Sequence, residues 1–409
     1  MKGSLLRATL TLLLGGALAQ ALPLLLGPWI TRLYSPQAFG HFSLVWMLAT
    51  NLAVVGCARY EFALPLAQDD GEASLLMGLC LRVLAVVLAV AVVVGGVLAM
   101  TRGLDLFWWL PLAVLAGAAT QWLTLWATRA QEFRVLAIGR VTQYGGGAVL
   151  QVGLGLLQWG AQGLLAGPVL AGIATAWLLA RPSPQGGWRT LLRQAPAALR
   201  EVARRHRDFP LLNTPHAFAG ALQDSLALLL ITAWSGDASA GYWALSLRYL
   251  KAPASLVGSA LSQALYPRLV AARESAQALH LVRSAMGVLL LLAAPLMIGL
   301  MLWGPWVFAV VFGTGWRDAG ELARALAPYI AMHFVAAPLA VVTMAWGAQA
   351  WALKLALVGQ VAYVGGLALG LQWGGLVGAG WGVSAAMLLY FGYYFWTLAH
   401  WRSFPEERA

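Results

Sequence analysis

Charge is what this sequence has least of. Only 10% of its 409 residues are charged, against roughly 25% in an ordinary soluble domain. A further 61% are apolar, which leaves too little polar surface for a water-soluble fold. Acids are scarcer than bases, with 15 Asp+Glu against 26 Lys+Arg. No paired-carboxylate signature appears, and neither does a P-loop, a nucleophile elbow or a zinc-ligand pattern. Cysteine is nearly absent. Cys57 and Cys80 sit inside apolar stretches without a CxxC spacing, so they read as small hydrophobes. Large outer loops are lacking as well. The longest, around 304–322, holds only Asp318 and Glu321 as acids, which is poor ground for an enzyme. Neither catalysis nor a resident cofactor is expected.

What remains is long apolar runs. Crossing ~30 Å of hydrocarbon at about 1.5 Å per residue takes roughly twenty residues, and that length recurs along the chain. The runs predict helices at 9–31, 38–58, 74–100, 106–126, 137–158, 164–180, 212–234, 240–266, 281–303, 323–346, 352–371 and 376–398. The run 305–312 is too short to cross and reads as an interfacial piece. Lys2 and Arg7 precede the first run as in a signal peptide. The run is long and contains Gln20 and Pro23, so we read it as a retained helix.

Positive charge orders these spans. With a cytoplasmic N-terminus, nineteen Lys and Arg fall in inside segments and four in outside ones, Arg32, Arg102, Arg317 and Arg324. Arg82, Arg248 and Lys251 lie within helices. The bias predicts both termini inside and an even number of spans. The basic excess thus reports topology and does not point to nucleic acid. Segment 181–211 carries seven arginines, and Trp188, Leu191, Leu192, Leu199 and Val202 recur in it at helical spacing. It reads as an amphipathic linker on the anionic inner leaflet, or else as a solvated linker. Trp108, Trp109, Trp234, Trp303, Trp306, Trp346 and Trp401 fall near span ends, as interfacial anchors do.

Two short echoes suggest an internal repeat. Ala38-Phe39-Gly40-His41-Phe42-Ser43-Leu44 parallels Ser239-Ala240-Gly241-Tyr242-Trp243-Ala244-Leu245, and Trp126–Arg134 parallels Trp346–Lys354. The expected fold is therefore an all-α polytopic membrane protein with twelve transmembrane helices. These form two six-helix lobes related by a pseudo-two-fold along the membrane normal, with a site near mid-membrane. The chain divides into a first lobe at 1–180, the linker at 181–211, a second lobe at 212–400 and a cytoplasmic tail at 401–409.

Ionisable residues within spans are costly and mark function by default. Arg248, Lys251, Ser255, Ser259 and Ser262 share one face of the eighth helix. His216, Gln223 and Asp224 recur at helical spacing on the seventh. Asp224 and Lys251 lie at equal distances from the turn near Asp237. They form either an ion pair that holds the hairpin or a group that couples transport to an ion. Arg248 is left without an acid, and a guanidinium suits bidentate recognition of phosphate. Gln20 and Pro23 suggest a bent first helix. Arg59-Tyr60-Glu61 closes the second helix as an entrance or as a helix-end ion cluster. Asn51, Gln121, Gln143, Gln151, His333 and Gln360 either line a cavity or bond between helices. Arg82 is expected to snorkel.

Three stretches carry a family likeness: Tyr34-Ser35-Pro36-Gln37-Ala38-Phe39-Gly40, Arg59-Tyr60-Glu61-Phe62-Ala63-Leu64-Pro65, and Phe209-Pro210-Leu211 onward. Gly241-Tyr242-Trp243-Ala244-Leu245, Pro253 and Gln263-Ala264-Leu265-Tyr266-Pro267 fit as well. The sequence resembles the polysaccharide (Wzx-type, O-antigen) branch of the multidrug/oligosaccharidyl-lipid/polysaccharide flippase superfamily. That resemblance implies flipping of undecaprenyl-pyrophosphate-linked oligosaccharide across the bacterial inner membrane by alternating access, for O-antigen, capsule or exopolysaccharide. It implies a headgroup site of Arg248, Lys251, Ser255, Ser259, Arg59 and Gln20, and a coupling set of Asp224, His216 and Gln223. A proton or sodium would be the coupling ion. Membrane lipids, a polysaccharide polymerase and chain-length proteins would be the partners. The rival readings are a multidrug antiporter, which would want a carboxylate-rich cavity, and a membrane glycosyltransferase or polymerase.

Overall fold

The computed structural model describes residues 2–182, 184, 187–272 and 274–402. Within these, the side chains of 2–14, 17, 212, 216, 219 and 220 are outside the description. Arg273, most of the 401–409 tail and the His216 side chain therefore fall outside it. Every regular element among the described residues is helical. Six helices contain stretches long and apolar enough to cross a membrane, from Asp70–Arg102 to Gln349–Ala399. The chain folds as two compact units, Met1–Ser225 and Leu226–Ala409.

The first unit begins with α1 (Lys2–Leu33) and α2 (Pro36–Val54). Ser35 caps α2, its Oγ accepting from Ala38 N at 3.2 Å, and Pro36 occupies the first turn where no N–H is needed. A 3-10 segment, Tyr60–Leu66, leads to α3 (Asp70–Arg102). A variant of the capping box, shifted back by one residue on one side, starts α3. Asp69 accepts from Glu72 N at 2.7 Å, and Glu72 Oε2 accepts from Gln68 N at 2.8 Å. Gly103, at φ +64°, ends the helix in the left-handed conformation.

Next come α4 (Leu110–Arg129), α5 (Phe133–Arg140), α6 (Gly147–Leu156) and α7 (Gly160–Leu179). A π-helical turn at Val141–Gly146 joins α5 to α6, so the run expected at 137–158 is one bulged helix. Two clusters hold the unit together. Leu76, Met77, Cys80, Trp122, Leu123 and Leu179 form one, and Val45, Ala91, Leu110, Val114, Leu165 and Val169 the other.

The arginine-rich segment belongs to this unit as a strap made of α8 (Thr190–Arg193) and α9 (Pro196–Arg205). Its apolar side is turned inward. Leu191, Leu199 and Val202 are buried, and only Leu192 of the five apolar positions is well exposed. The arginines face outward. Arg82 does not snorkel. It donates to the carbonyls of Leu191 at 3.0 Å, Leu192 at 3.3 Å and Gln194 at 3.4 Å, and to Gly78 in its own helix at 2.9 Å. It thus satisfies the orphan carbonyls at the end of α8. Gln194 Nε2 bonds Ser74 O at 2.8 Å, and Glu72 Oε1 pairs with Arg205 and His206.

The second unit contains most of α10 (Thr214–Ala271), then α11 (Ser275–Phe312), α12 (Arg317–Ala345) and α13 (Gln349–Ala399). Two long helices are really pairs. α10 breaks at Gly236 (φ 83°, ψ 175°), one residue from the expected turn, and α13 breaks at Gly374 and Gly375.

The piece 305–312 is not a separate interfacial segment but the end of α11. Packing explains the difference. The Phe312 ring lies 4.6 Å from that of Tyr249, and Gly304 meets Gly320 closely enough that a Cβ would touch its carbonyl at 2.9 Å. The arms of α13 meet in the same way. A Cβ on Gly370 would collide with the Gly378 carbonyl, and one on Gly382 with that of Gly366. This is small-residue packing of membrane helices.

Candidate functional site

The second arm of α10 is anchored on α12 by serines. Ser246 donates to Ala319 O at 3.1 Å and Ser262 to Pro338 O at 3.2 Å. These bonds fix the rotation of the arm and so the direction of its polar stripe. Arg248, Ser255 and Ser259 are exposed, while Lys251 and Ser262 are half-buried. Ser259 returns its hydroxyl to Leu256 O at 3.0 Å. Arg248 lies about 18 Å along the helix from the break at Gly236, at 1.5 Å per residue. Among the described residues no carboxylate pairs with it and no hydrogen bond fixes it. Lys251 differs in that it is already engaged within the protein.

The other expected residues are more dispersed. Gln20 is exposed on α1 near Pro23, Asp224 is exposed and engaged, and Gln223 is half-buried. Several polar residues prove to be interhelical bonds. Asn51 Nδ2 donates to Ser225 Oγ at 2.6 Å, and Gln151 Nε2 to Leu164 O at 2.7 Å. Gln143 and Gln360 are half-buried, and His333 stacks near Tyr329 with ring centroids 5.8 Å apart.

Arg59 and Glu61 depart most from expectation. Ala58 and Arg59 both take positive φ, 48° and 64°, a costly conformation for residues with a Cβ. This folds Tyr60–Leu66 back against α3 and α4. Glu61 is consequently not a helix-end surface charge. It is 2% exposed, and its Oε1 accepts from Gln121 Nε2 at 2.7 Å. Oε2 is buried without a partner. The Arg59 guanidinium stacks over Phe62, 4.9 Å from the ring centroid, and its Nε is also buried and unbonded. Burial pushes the Glu61 carboxyl above its ordinary pKa, while a backbone bond, the Arg59 charge and the Gln121 bond pull it back. The Arg-Tyr-Glu run is visible in the sequence, but no residue there signals the reversal that buries the acid.

No cluster of three or more His, Cys, Asp or Glu able to hold a metal occurs among the described residues.

Comparison with known proteins now bears on this arrangement. A family model described as "Polysaccharide biosynthesis protein" matches residues 29–321. No curated protein sequence matches the chain. Among solved structures, the chain is similar to lipid II flippase MurJ in an inward closed conformation. The TM-score is 0.68 at 10% identity, covering 97% of this chain and 90% of that one. An inward-facing multidrug resistance MATE family transporter of the MOP superfamily gives 0.64 at 14% identity, covering 93% and 94%. The Vibrio cholerae MATE transporter VcmN gives 0.53 at 16% identity, covering 97% and 95%. At such identities the likeness is one of fold, whereas the family model spans well over half of the sequence. The chain belongs to the polysaccharide biosynthesis protein family and has the fold of MOP-superfamily flippases and transporters.

Proposed function

We propose that this protein flips undecaprenyl-pyrophosphate-linked oligosaccharide from the inner to the outer leaflet of the bacterial inner membrane, for O-antigen, capsule or exopolysaccharide synthesis. In this reading twelve spans form two six-helix lobes with both termini inside, the α10 and α13 pairs counting as two spans each. The headgroup enters a polar path while the lipid tail stays in the bilayer, and alternating access carries the headgroup across.

The carrying observation is Arg248, a guanidinium well inside a helical arm, exposed and without a protein acid among the described residues. Such a charge costs about 2.5–3.5 kcal/mol at a span's centre on insertion scales, a cost that water or a bound anion must offset. A pyrophosphate supplies two charges and several acceptors, which a planar fork of donors engages bidentately. Ser255 and Ser259 on the same exposed stretch offer hydroxyls to sugar or phosphate.

Flipping of a fluorescent undecaprenyl-pyrophosphate oligosaccharide in proteoliposomes tests the reading. Arg248→Ala should abolish flipping while insertion and folding persist. Full activity in that variant would overturn the assignment, and flipping of uncharged or cationic amphiphiles alone would favour drug transport.

A further inference from the structure

The two arms of α13 enclose a cleft that this transport scheme does not use. Near the break at Gly374 the arms touch backbone to backbone, Gly370 against Gly378 and Gly366 against Gly382. Further out a large residue takes over from the small ones. The Tyr390 ring presses on Gly359, so closely that a Cβ there would stand 2.8 Å from it, and this wedge parts the arms. At their open end Trp351 stacks on Tyr394, with ring centroids 6.0 Å apart and planes at 14°, and Trp401 meets Trp351 edge-on at 5.2 Å. Tyr394 in turn donates to Leu339 O of α12 at 3.3 Å. The splay is therefore held by packing.

What it leaves is a cleft of about 550 Å³, within the size range of small-molecule sites. Lys354, Val358 and Ala362 line it from the first arm, on one helix face, and Ala386, Tyr390 and Tyr393 from the second. Its walls are almost wholly apolar. Both walls belong to a helix long and apolar enough to cross a membrane. Val358 and Leu389, which line the cleft, are 60% and 79% exposed, so it opens sideways out of the hairpin, where a bilayer would place hydrocarbon.

Lys354 is the charged member of the lining. It lies about 30 Å along the first arm from the break, the full thickness of the hydrocarbon layer. Its ammonium thus stands at headgroup level, while the wall from Lys354 to Ala362 runs about 12 Å into the apolar layer. Lys354 is exposed, and among the described residues no acid pairs with it.

We propose that the α13 cleft binds one anionic glycerophospholipid of the surrounding bilayer, with its phosphate on Lys354 and an acyl chain along Val358 and Ala362 between the arms. Trp351 and Tyr393 flank the headgroup end, as interfacial aromatics do. An ammonium at the membrane surface attracts anionic headgroups, and a single one matches a single phosphate. The lining offers no amide or carboxylate to hold a sugar, which sets this site apart from the polar stripe on α10. The site stands whether or not the cargo is a lipid-linked sugar.

Native mass spectrometry of the full-length protein tests it, because each bound lipid is counted by its mass. Delipidated protein is titrated with phosphatidylglycerol, with phosphatidylcholine of the same chains, or with undecaprenyl phosphate. One phosphatidylglycerol should bind saturably, about fivefold tighter than phosphatidylcholine, the effect of one lysine near a membrane surface. Lys354→Gln should erase that preference and leave phosphatidylcholine binding unchanged. Val358→Trp should fill the cleft and weaken both phospholipids alike. An unchanged preference in Lys354→Gln overturns the site, and so does unchanged affinity for the first lipid in Val358→Trp. Tighter binding of undecaprenyl phosphate than of phosphatidylglycerol would give the cleft to the cargo. A dimer dispersed by Val358→Trp would give it to a second copy of the chain, and either result overturns the assignment. Both substituted side chains are exposed; should Val358→Trp still not fold, Lys354→Gln decides alone.

Discussion

Replacing Arg82 by Ala should release the strap at one end only. Arg82 gives the strap three bonds, of which the 3.0 Å bond to Leu191 O is the shortest. A bond from a charged donor contributes about 1.5–3 kcal/mol, and a buried acceptor left unpaired adds to the loss. Leu191 is fully buried, so its carbonyl region has little access to water, whereas Leu192 is exposed and water replaces its longer bond. The net loss is about 2–4 kcal/mol, or roughly 30- to 700-fold in the local opening equilibrium at 1.4 kcal/mol per factor of ten. Downstream, Leu199 and Val202 remain buried and Glu72 still holds Arg205 and His206. Amide hydrogen exchange on the full chain should therefore accelerate over 188–194 and change little over 199–206. Unchanged exchange would refute the anchoring role, and uniform acceleration across Met1–Ser225 would refute its locality.

Gly370→Leu should destabilise the second unit by about 1–3 kcal/mol or more, because its side chain must enter the Gly378 backbone. A melting temperature equal to wild type would show that the arms of α13 do not meet there. Asn51→Ala should cost about 0.6 kcal/mol, the average for a polar contact between membrane helices, and a loss above ~2 kcal/mol would mean the bond does more than join α2 to α10. The raised carboxyl of Glu61 makes the folded state hold a proton that the unfolded state releases near pH 4.3. Stability from this group should fall as pH climbs from there through the raised value, by at most about 1.4 kcal/mol per pH unit. Glu61→Gln should flatten that slope in thermal-stability scans between pH 4 and 8, and an identical slope would contradict it.

The all-helical, membrane-crossing character was legible because a bilayer asks for apolar length and little else. The helix break was legible at 237, one residue from Gly236, since Ser235, Gly236 and Asp237 interrupt the apolar run. The end of α11 was not. Segment 305–312 is too short to span, and only Gly304 against Gly320 and Phe312 against Tyr249 show that it continues a helix. Arg82 reads as a snorkelling cation because its true acceptors are main-chain carbonyls 109–112 residues away, which carry no side-chain signature. The strap's amphipathicity was visible, but periodicity cannot say whether protein or lipid covers an apolar stripe. Leu191, Leu199 and Val202 are covered by protein. Arg248 stood out because a charge in an apolar helical run has few innocent explanations. Glu61 did not, because its burial follows from two left-handed residues that are neither glycine nor asparagine.

In the proposed function Arg248 meets a diphosphate. Binding of undecaprenyl pyrophosphate to nanodisc-embedded protein measures this directly, with Arg248→Ala and Arg248→Lys beside wild type. Losing charge-assisted bonds worth about 1.5–3 kcal/mol should weaken binding roughly 10- to 150-fold in the alanine variant. Lysine, keeping the charge without the fork, should fall between the two. Equal affinity in all three proteins would mean that this guanidinium does not receive the headgroup.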